Sequence, residues 1–97
     1  MDLVGIQEAI MKILAKPVDM VCWFEKTGVP HPIRFKITSE DESEKVIKVD
    51  KVFAVDRERL VGNDMLVFKC QSIINNTQKI FELKYELRTC RWILFKM

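Results

Sequence analysis

The stretch Thr77-Gln78-Lys79-Ile80-Phe81-Glu82-Leu83-Lys84-Tyr85-Glu86-Leu87-Arg88 decides how this chain folds. From Phe81 to Arg88 apolar and charged side chains take alternate positions. A two-residue period is typical of a β-strand that has one face in a hydrophobic core and one face in water. The same period recurs along most of the chain after Pro17, and it therefore predicts an antiparallel sheet.

Turn signals divide the rest of the chain into further strands. Gly62-Asn63-Asp64 and Asn75-Asn76 are typical of turns, because glycine and asparagine tolerate left-handed backbone geometry. The period changes phase within residues 45–57, which favours a bulge near Asp50-Lys51 that bends a long strand. We expect five to six strands in an antiparallel meander. Exposed sheet edges invite aggregation, so the meander is predicted to form a small, partly open barrel or a coiled sheet.

The N-terminal segment has a different period. Apolar residues recur there at steps of three and four, which predicts an amphipathic helix over residues 2–15 that ends before Pro17. The predicted fold class is therefore mainly β, or α+β by element count. We expect a single domain over residues 1–97, with a helix in 1–16 and the sheet in 17–97. The helix stripe needs a partner, either an open end of the barrel or a second copy of the protein.

Size and composition exclude several classes of protein. The chain has 97 residues, 48% of them hydrophobic and 31% charged, which fits one folded domain. A net charge of +2 does not by itself argue for a nucleic-acid partner. The three cysteines are an odd number, are far apart in sequence and follow no visible signal peptide. No apolar run is long enough for a membrane span. These features favour a reduced, cytoplasmic protein with no membrane partner.

The residue patterns indicate no catalytic residues, metal site or cofactor. Cys22, Cys70, Cys90 and His31 lie on four separate segments, whereas zinc ligands usually come in close pairs. The three glycines are isolated and form no phosphate-binding loop. No pattern typical of a nucleophilic serine occurs. The sequence therefore favours a protein that is not an enzyme.

Several segments carry a resemblance to known proteins. They read Leu66-Val67-Phe68-Lys69-Cys70-Gln71-Ser72, Phe81-Glu82-Leu83-Lys84-Tyr85-Glu86 and Thr89-Cys90-Arg91-Trp92, with Gly28-Val29-Pro30-His31-Pro32-Ile33-Arg34-Phe35 upstream. Together they resemble a family of short uncharacterised bacterial proteins over residues 18–97. That family has no assigned reaction, cofactor or partner. The resemblance thus implies a free-standing cytoplasmic domain and identifies no functional residue.

Two hypotheses of function remain. Apolar side chains outside the main inward pattern favour an interaction module that binds a protein partner or a second copy of itself, as a homodimer. The residues predicted for this surface are Trp23, Ile93, Phe95, Ile6 and Ile10. The alternative is a small barrel that binds single-stranded nucleic acid through an outward basic stripe. The residues predicted for the stripe are Arg34, Lys36, Lys69, Lys84, Arg88 and Arg91.

Overall fold

The computed structural model describes residues 11–97, and this range contains seven β-strands. They are β1 (Ile13–Phe24), β2 (Pro30–Thr38), β3 (Glu44–Lys48), β4 (Lys51–Leu60), β5 (Asn63–Ile74), β6 (Thr77–Glu86) and β7 (Arg91–Lys96). They form one antiparallel sheet in the order β3-β2-β1-β7-β6-β5-β4, curled into a half-barrel. The predicted antiparallel sheet is confirmed.

β1 joins the two portions of the sheet because each of its halves has a different partner. Its first half, residues 13–18, pairs with β7. Its second half, residues 19–24, pairs with β2. One portion of the sheet therefore contains β1, β2 and β3, and the other contains β1, β7, β6, β5 and β4.

The link between β3 and β4 ties these portions together a second time. The Val49 N–H donates to the Ile33 carbonyl at 2.8 Å, and the Asp50 N–H donates to the Gln71 carbonyl at 3.1 Å. The Asp50 carboxylate accepts from the Ile73 N–H at 2.8 Å. The link thus contacts both β2 and β5. The single bent strand predicted for residues 45–57 is instead two strands, β3 and β4, and the register shift of β4 lies between Val52 and Ala54.

The core lies on the concave face of the half-barrel. Alternate residues of β6 point into it, and they are the apolar ones that the sequence period identifies. Aromatic rings from facing strands meet there, with centroids 5.5 Å apart for Phe35 and Phe81 and 5.2 Å apart for Phe68 and Trp92. The buried core residues are Phe35, Ile47, Phe68, Cys70, Phe81, Leu83, Tyr85, Trp92 and Leu94.

The predicted fold class, a helix followed by five to six strands, is wrong. Every regular element within residues 11–97 is a strand, and there are seven of them. The predicted helix covered residues 2–15, but residues 13–15 belong to β1, in which Ile13 pairs with Lys96. Residues 11 and 12 are described and belong to no helix, and the rest of the predicted helix, over residues 2–10, lies outside the described residues. Within the described range no helix is long and apolar enough to cross a membrane.

Strand pairing with β7 explains why the helical period misleads at the start of β1. Ala15 has a φ of 49°, and the pairing register shifts between Ile13 and Lys16. This irregularity disturbs the two-residue alternation, so the strand does not show its usual period in the sequence. Pro17 does not end a helix, since it lies inside β1 opposite Ile93. Proline is tolerated there because this half of β1 pairs with only one neighbour.

Candidate functional site

A cleft opens where the second half of β1 separates from β7. Pairing between these strands stops at Val18 and Trp92, and β1 continues along β2. The space left beside β1 has a volume of about 790 Å³. We call it the β1 cleft, and its lining includes Met20, Cys22, Phe24, Tyr85, Cys90 and Trp92.

The turn between β1 and β2 fixes which backbone groups face the cleft. The Gly28 N–H donates to the Glu25 carbonyl at 2.7 Å, and the Glu25 N–H donates to the Val29 carbonyl at 2.9 Å. Gly28 has a φ of 96°, the left-handed geometry that a three-residue hairpin loop requires. Glu25 and Val29 therefore form a hydrogen-bonded pair, and the pairs farther along the hairpin alternate from there.

Because of this alternation, the backbone N–H and C=O groups of Cys22 and Phe24 form no hydrogen bonds to β2. Trp23 and His31 form the next hydrogen-bonded pair, two residues from the turn on each strand. Cys22 and Phe24 lie opposite Pro32 and Pro30, which have no N–H to donate. The N–H and C=O groups of both residues point away from β2, toward the cleft. Within residues 11–97 no other strand pairs with this side of the second half of β1.

Aromatic rings form the inner wall of the β1 cleft. The ring centroids of Tyr85 and Trp92 are 4.9 Å apart, and Phe24 packs edge-on against Tyr85 at 6.1 Å. Tyr85 and Trp92 are buried on the cleft floor, whereas Phe24 is 50% exposed at the mouth. The wall therefore offers an apolar surface next to unpaired backbone groups.

Two thiols act on the Tyr85 phenol. Three effects raise the pKa of Tyr85 to about 12. The largest is hydrogen bonding with the Cys90 side chain, and burial comes second. The third is the negative charge that Cys90 and Cys22 would carry as thiolates. The phenol is thus neutral at physiological pH and can donate or accept one hydrogen bond. Cys90 is exposed and holds a φ of 60° in the turn before β7.

The residues predicted for a protein-binding surface lie away from this cleft. Trp23 is on the convex face, where its ring stacks on His31 at 4.1 Å with 10° between the planes. Ile93 and Phe95 are half-buried on the convex face of β7, and the Lys84 ammonium lies 3.6 Å from the Phe95 ring centroid. The other two predicted residues, Ile6 and Ile10, lie outside the described residues.

The residues predicted for a basic stripe occupy three separate places. Arg34 and Lys36 lie on β2, Lys69 and Lys84 lie on the convex face of β5 and β6, and Arg88 and Arg91 lie at the turn and start of β7. β1 and β7 separate β2 from β6 in the sheet.

Two of these lysines already have acidic partners. Lys84 is only 8% exposed and donates to both carboxylate oxygens of Glu58, at 3.0 and 3.2 Å. Lys36 lies 3.5 Å from the Glu44 carboxylate and 3.8 Å from that of Asp19. Lys84 is therefore on the predicted face of β6 but is not open to water, because neighbouring long side chains cover it.

Metal ligands do not cluster in the part of the chain that the structure describes. No group of three or more histidine, cysteine, aspartate or glutamate side chains within residues 11–97 could hold a metal ion. Cys70 is a core residue, and its burial, together with the charge of Glu82, raises the pKa of its thiol to about 12. A thiol that stays protonated is a poor nucleophile, which fits a structural role for Cys70.

The sequence did not identify the β1 cleft, although it placed Cys22 and Tyr85 on inward faces. The available signal is strand length, since β1 has 12 residues and β7 has only 6. A long strand beside a short one must extend past it and leave an open edge. That signal is visible only once both boundaries are known.

Comparison with known proteins adds no assignment to the cleft. The chain matches no family model, no curated protein and no solved structure. The resemblance to short uncharacterised bacterial proteins stays a prediction.

Proposed function

We propose that this protein is a non-enzymatic interaction module that binds an extended segment of a protein partner in the β1 cleft. The segment adds as a strand to the second half of β1 and places its side chains against Phe24, Tyr85 and Trp92. The observation that carries this proposal is the open edge, where Cys22 and Phe24 turn their backbone groups toward an apolar cleft.

The chemistry of the cleft favours a peptide backbone as its occupant. At an unpaired strand edge, every second residue presents a free backbone N–H and C=O, and an added strand forms hydrogen bonds to them. Side chains at alternate positions of that strand then face the aromatic wall, which gives specificity. The proposal also keeps the expectation of a cytoplasmic protein, in which the free thiols of Cys22 and Cys90 stay reduced.

A library of random eight-residue peptides, screened against the whole protein, tests the proposal. We expect binders with apolar residues at alternate positions. N-methylation of the peptide amides that face β1 should abolish binding, whereas N-methylation at the intervening positions should not. Strand addition would be contradicted if no peptide bound, or if N-methylation reduced the affinity equally at both sets of peptide positions.

Phe24 and Phe53 provide a matched pair of variants for the same screen. Both are phenylalanines on strands and about half exposed, at 50% and 45%, but Phe53 is on β4 and does not line the β1 cleft. Phe24→Ala should weaken the binding of a selected peptide about tenfold, because a large aromatic contact is lost. Phe53→Ala should leave it unchanged.

The two earlier hypotheses become outcomes of parallel measurements. Sedimentation at micromolar concentration tests self-association, and a dimer that blocks peptide binding would replace the partner by a second copy. The nucleic-acid alternative stays a prediction, to be tested with single-stranded oligonucleotides at two salt concentrations. Binding that weakens steeply with salt, and that Arg34→Gln removes, would favour it over the peptide.

A further inference from the structure

The β1 cleft lies directly in line with β7, and this restricts how a strand can occupy it. β7 begins at Arg91 and pairs with the first half of β1 from Trp92 onward. A strand added to the second half of β1 therefore occupies the track that β7 leaves empty. The track is closed at one end, because the turn that precedes Arg91 connects β7 back to β6.

The direction of an added strand follows from the sheet. Every strand pair within the described residues is antiparallel, and antiparallel pairing is the more stable of the two ladders per residue. A segment antiparallel to β1 runs in the same direction as β7. It enters beside Phe24 and reaches Arg91 with its carboxyl end.

Arg91 places a positive charge at the closed end of the cleft. Arg91 is exposed at the edge of the cleft, on the same face of β7 as Ile93, and forms no ion pair within residues 11–97. Two carboxylates oppose an anion here. Asp19 also lines the cleft but lies 3.8 Å from the Lys36 ammonium, and Glu86, across from Arg91, accepts from Asn63 at 3.0 Å and from Thr89.

Glu86 is already stabilised as an anion by these contacts. Hydrogen bonds from Thr89 and Asn63 lower its pKa, and the positive charges of Arg88 and Arg91 lower it further. Arg91 therefore acts on Glu86 through space without pairing with it, and its guanidinium retains donors for a second carboxylate.

We infer that the β1 cleft recognises the free C-terminal end of a partner protein, with the terminal carboxylate at Arg91 and the preceding residues paired to β1. The inference rests on the proposed function and adds to it the kind of segment that binds. An internal segment would have to turn away at the closed end of the track, whereas a chain terminus ends there.

Two random peptide libraries separate this inference from the proposed function. In one library the peptides are tethered by their amino ends and have free carboxylates, and in the other they are tethered by their carboxyl ends. We expect binders only from the first library. C-terminal amidation of a selected peptide should reduce its affinity about tenfold, since a charge-assisted hydrogen bond is lost.

Arg91→Gln and Arg88→Gln form the matched pair of variants. Arg88 lies in the turn that precedes Arg91 and is exposed, but it does not line the cleft. Arg91→Gln should weaken binding of the free-acid peptide about tenfold and leave binding of the amidated peptide unchanged. Arg88→Gln should leave both unchanged. Thermal unfolding of both variants controls for loss of structure.

Each of the other outcomes overturns the inference. Equal binding of acid and amide forms, or binders from both libraries, would mean that the cleft takes internal segments, and the proposed function would stand. If binding depends on a free amino end, the added strand runs in the opposite direction, and its amino terminus lies at Asp19. No binder from either library would overturn the inference and the proposed function together.

Discussion

The two halves of β1 belong to one strand, but their open edges differ. The first half pairs with β7, and its other side faces a smaller groove of about 400 Å³ lined by Lys16, Pro17 and Lys36, among others. That half contains the left-handed Ala15 and a proline, and both features discourage a further strand from pairing. The second half contains no proline, and its open side faces aromatic rings.

The difference shows that this chain protects one strand edge and leaves another open. Protection by proline, charge and bulge is the usual way in which sheet proteins avoid edge-to-edge aggregation. β4, which forms one end of the sheet, has charged residues at Asp56, Arg57, Glu58 and Arg59. In a two-fold antiparallel pair centred on Arg57, that residue would face its own copy and Asp56 would face Glu58. These like charges disfavour such pairing.

Proline substitutions in the second half of β1 should produce the largest effect. Trp23→Pro removes an N–H from the ladder to β2 and leaves the His31 carbonyl without its donor. We expect a loss of roughly 2–4 kcal/mol in the free energy of unfolding. Cys22→Pro should cost less, about 1 kcal/mol, because the Cys22 N–H faces the cleft.

Chemical denaturation of both proline variants measures this difference, and Trp23→Ala controls for the lost stacking on His31. Equal destabilisation by the two prolines would mean that Cys22 also donates to β2. The assignment of its backbone to the cleft would then be wrong.

Two buried groups, Tyr85 on the cleft floor and Cys70 in the core, should make stability depend on alkaline pH. The pKa of Tyr85 rises from 10.0 to about 12 on folding, and that of Cys70 rises from 9.0 to about 12. A raised pKa means that the folded chain keeps these groups neutral where the unfolded chain ionises them. Their contribution is therefore complete below pH 9 and is lost progressively as the pH approaches 12.

Urea denaturation between pH 7 and 11.5 measures this loss. Tyr85→Phe should make the decrease shallower above pH 10, and Cys70→Ala should make it shallower above pH 9. A profile in Tyr85→Phe that runs parallel to the wild type would show that the cleft does not hold the phenol neutral.

The hairpin glycines give a smaller effect that separates stability from binding. Gly28 and Gly62 have φ values of 96° and 76°, and an added Cβ would meet no atom within 4 Å at either position. Alanine at each position should therefore cost about 1 kcal/mol, for backbone conformation alone. Only Gly28→Ala should also weaken peptide binding, because Gly28 sets the register of β1 on β2. Equal binding by the two variants would show that this register does not matter for the cleft.

Much of the sheet could be predicted from the sequence because side-chain alternation survives in the strands that line the core. Phe81, Leu83 and Tyr85 are buried as their period predicts, but β6 ends at Glu86 and Leu87, predicted to face inward, is exposed in the turn that follows. The Asn75-Asn76 turn is also confirmed, since both residues have positive φ, at 51° and 60°. Local chemistry determines both features, so a single sequence contains them.

Other features depend on contacts between distant segments. The register shift near Ala15 conceals the start of β1, and only pairing with β7 reveals it. Lys84 alternates as a solvent-facing residue should, but Glu58 and Phe95 cover it from other strands. The β1 cleft likewise arises where β1 and β7 separate, and no local sequence pattern shows this separation.

Amide hydrogen exchange along β1 tests the open edge most directly. In the free protein the amide of Trp23 should exchange at least about 100-fold more slowly than those of Cys22 and Phe24, because only Trp23 donates to another strand. A bound peptide should slow Cys22 and Phe24 and leave Trp23 unchanged. Equal protection of all three amides in the free protein would contradict the account.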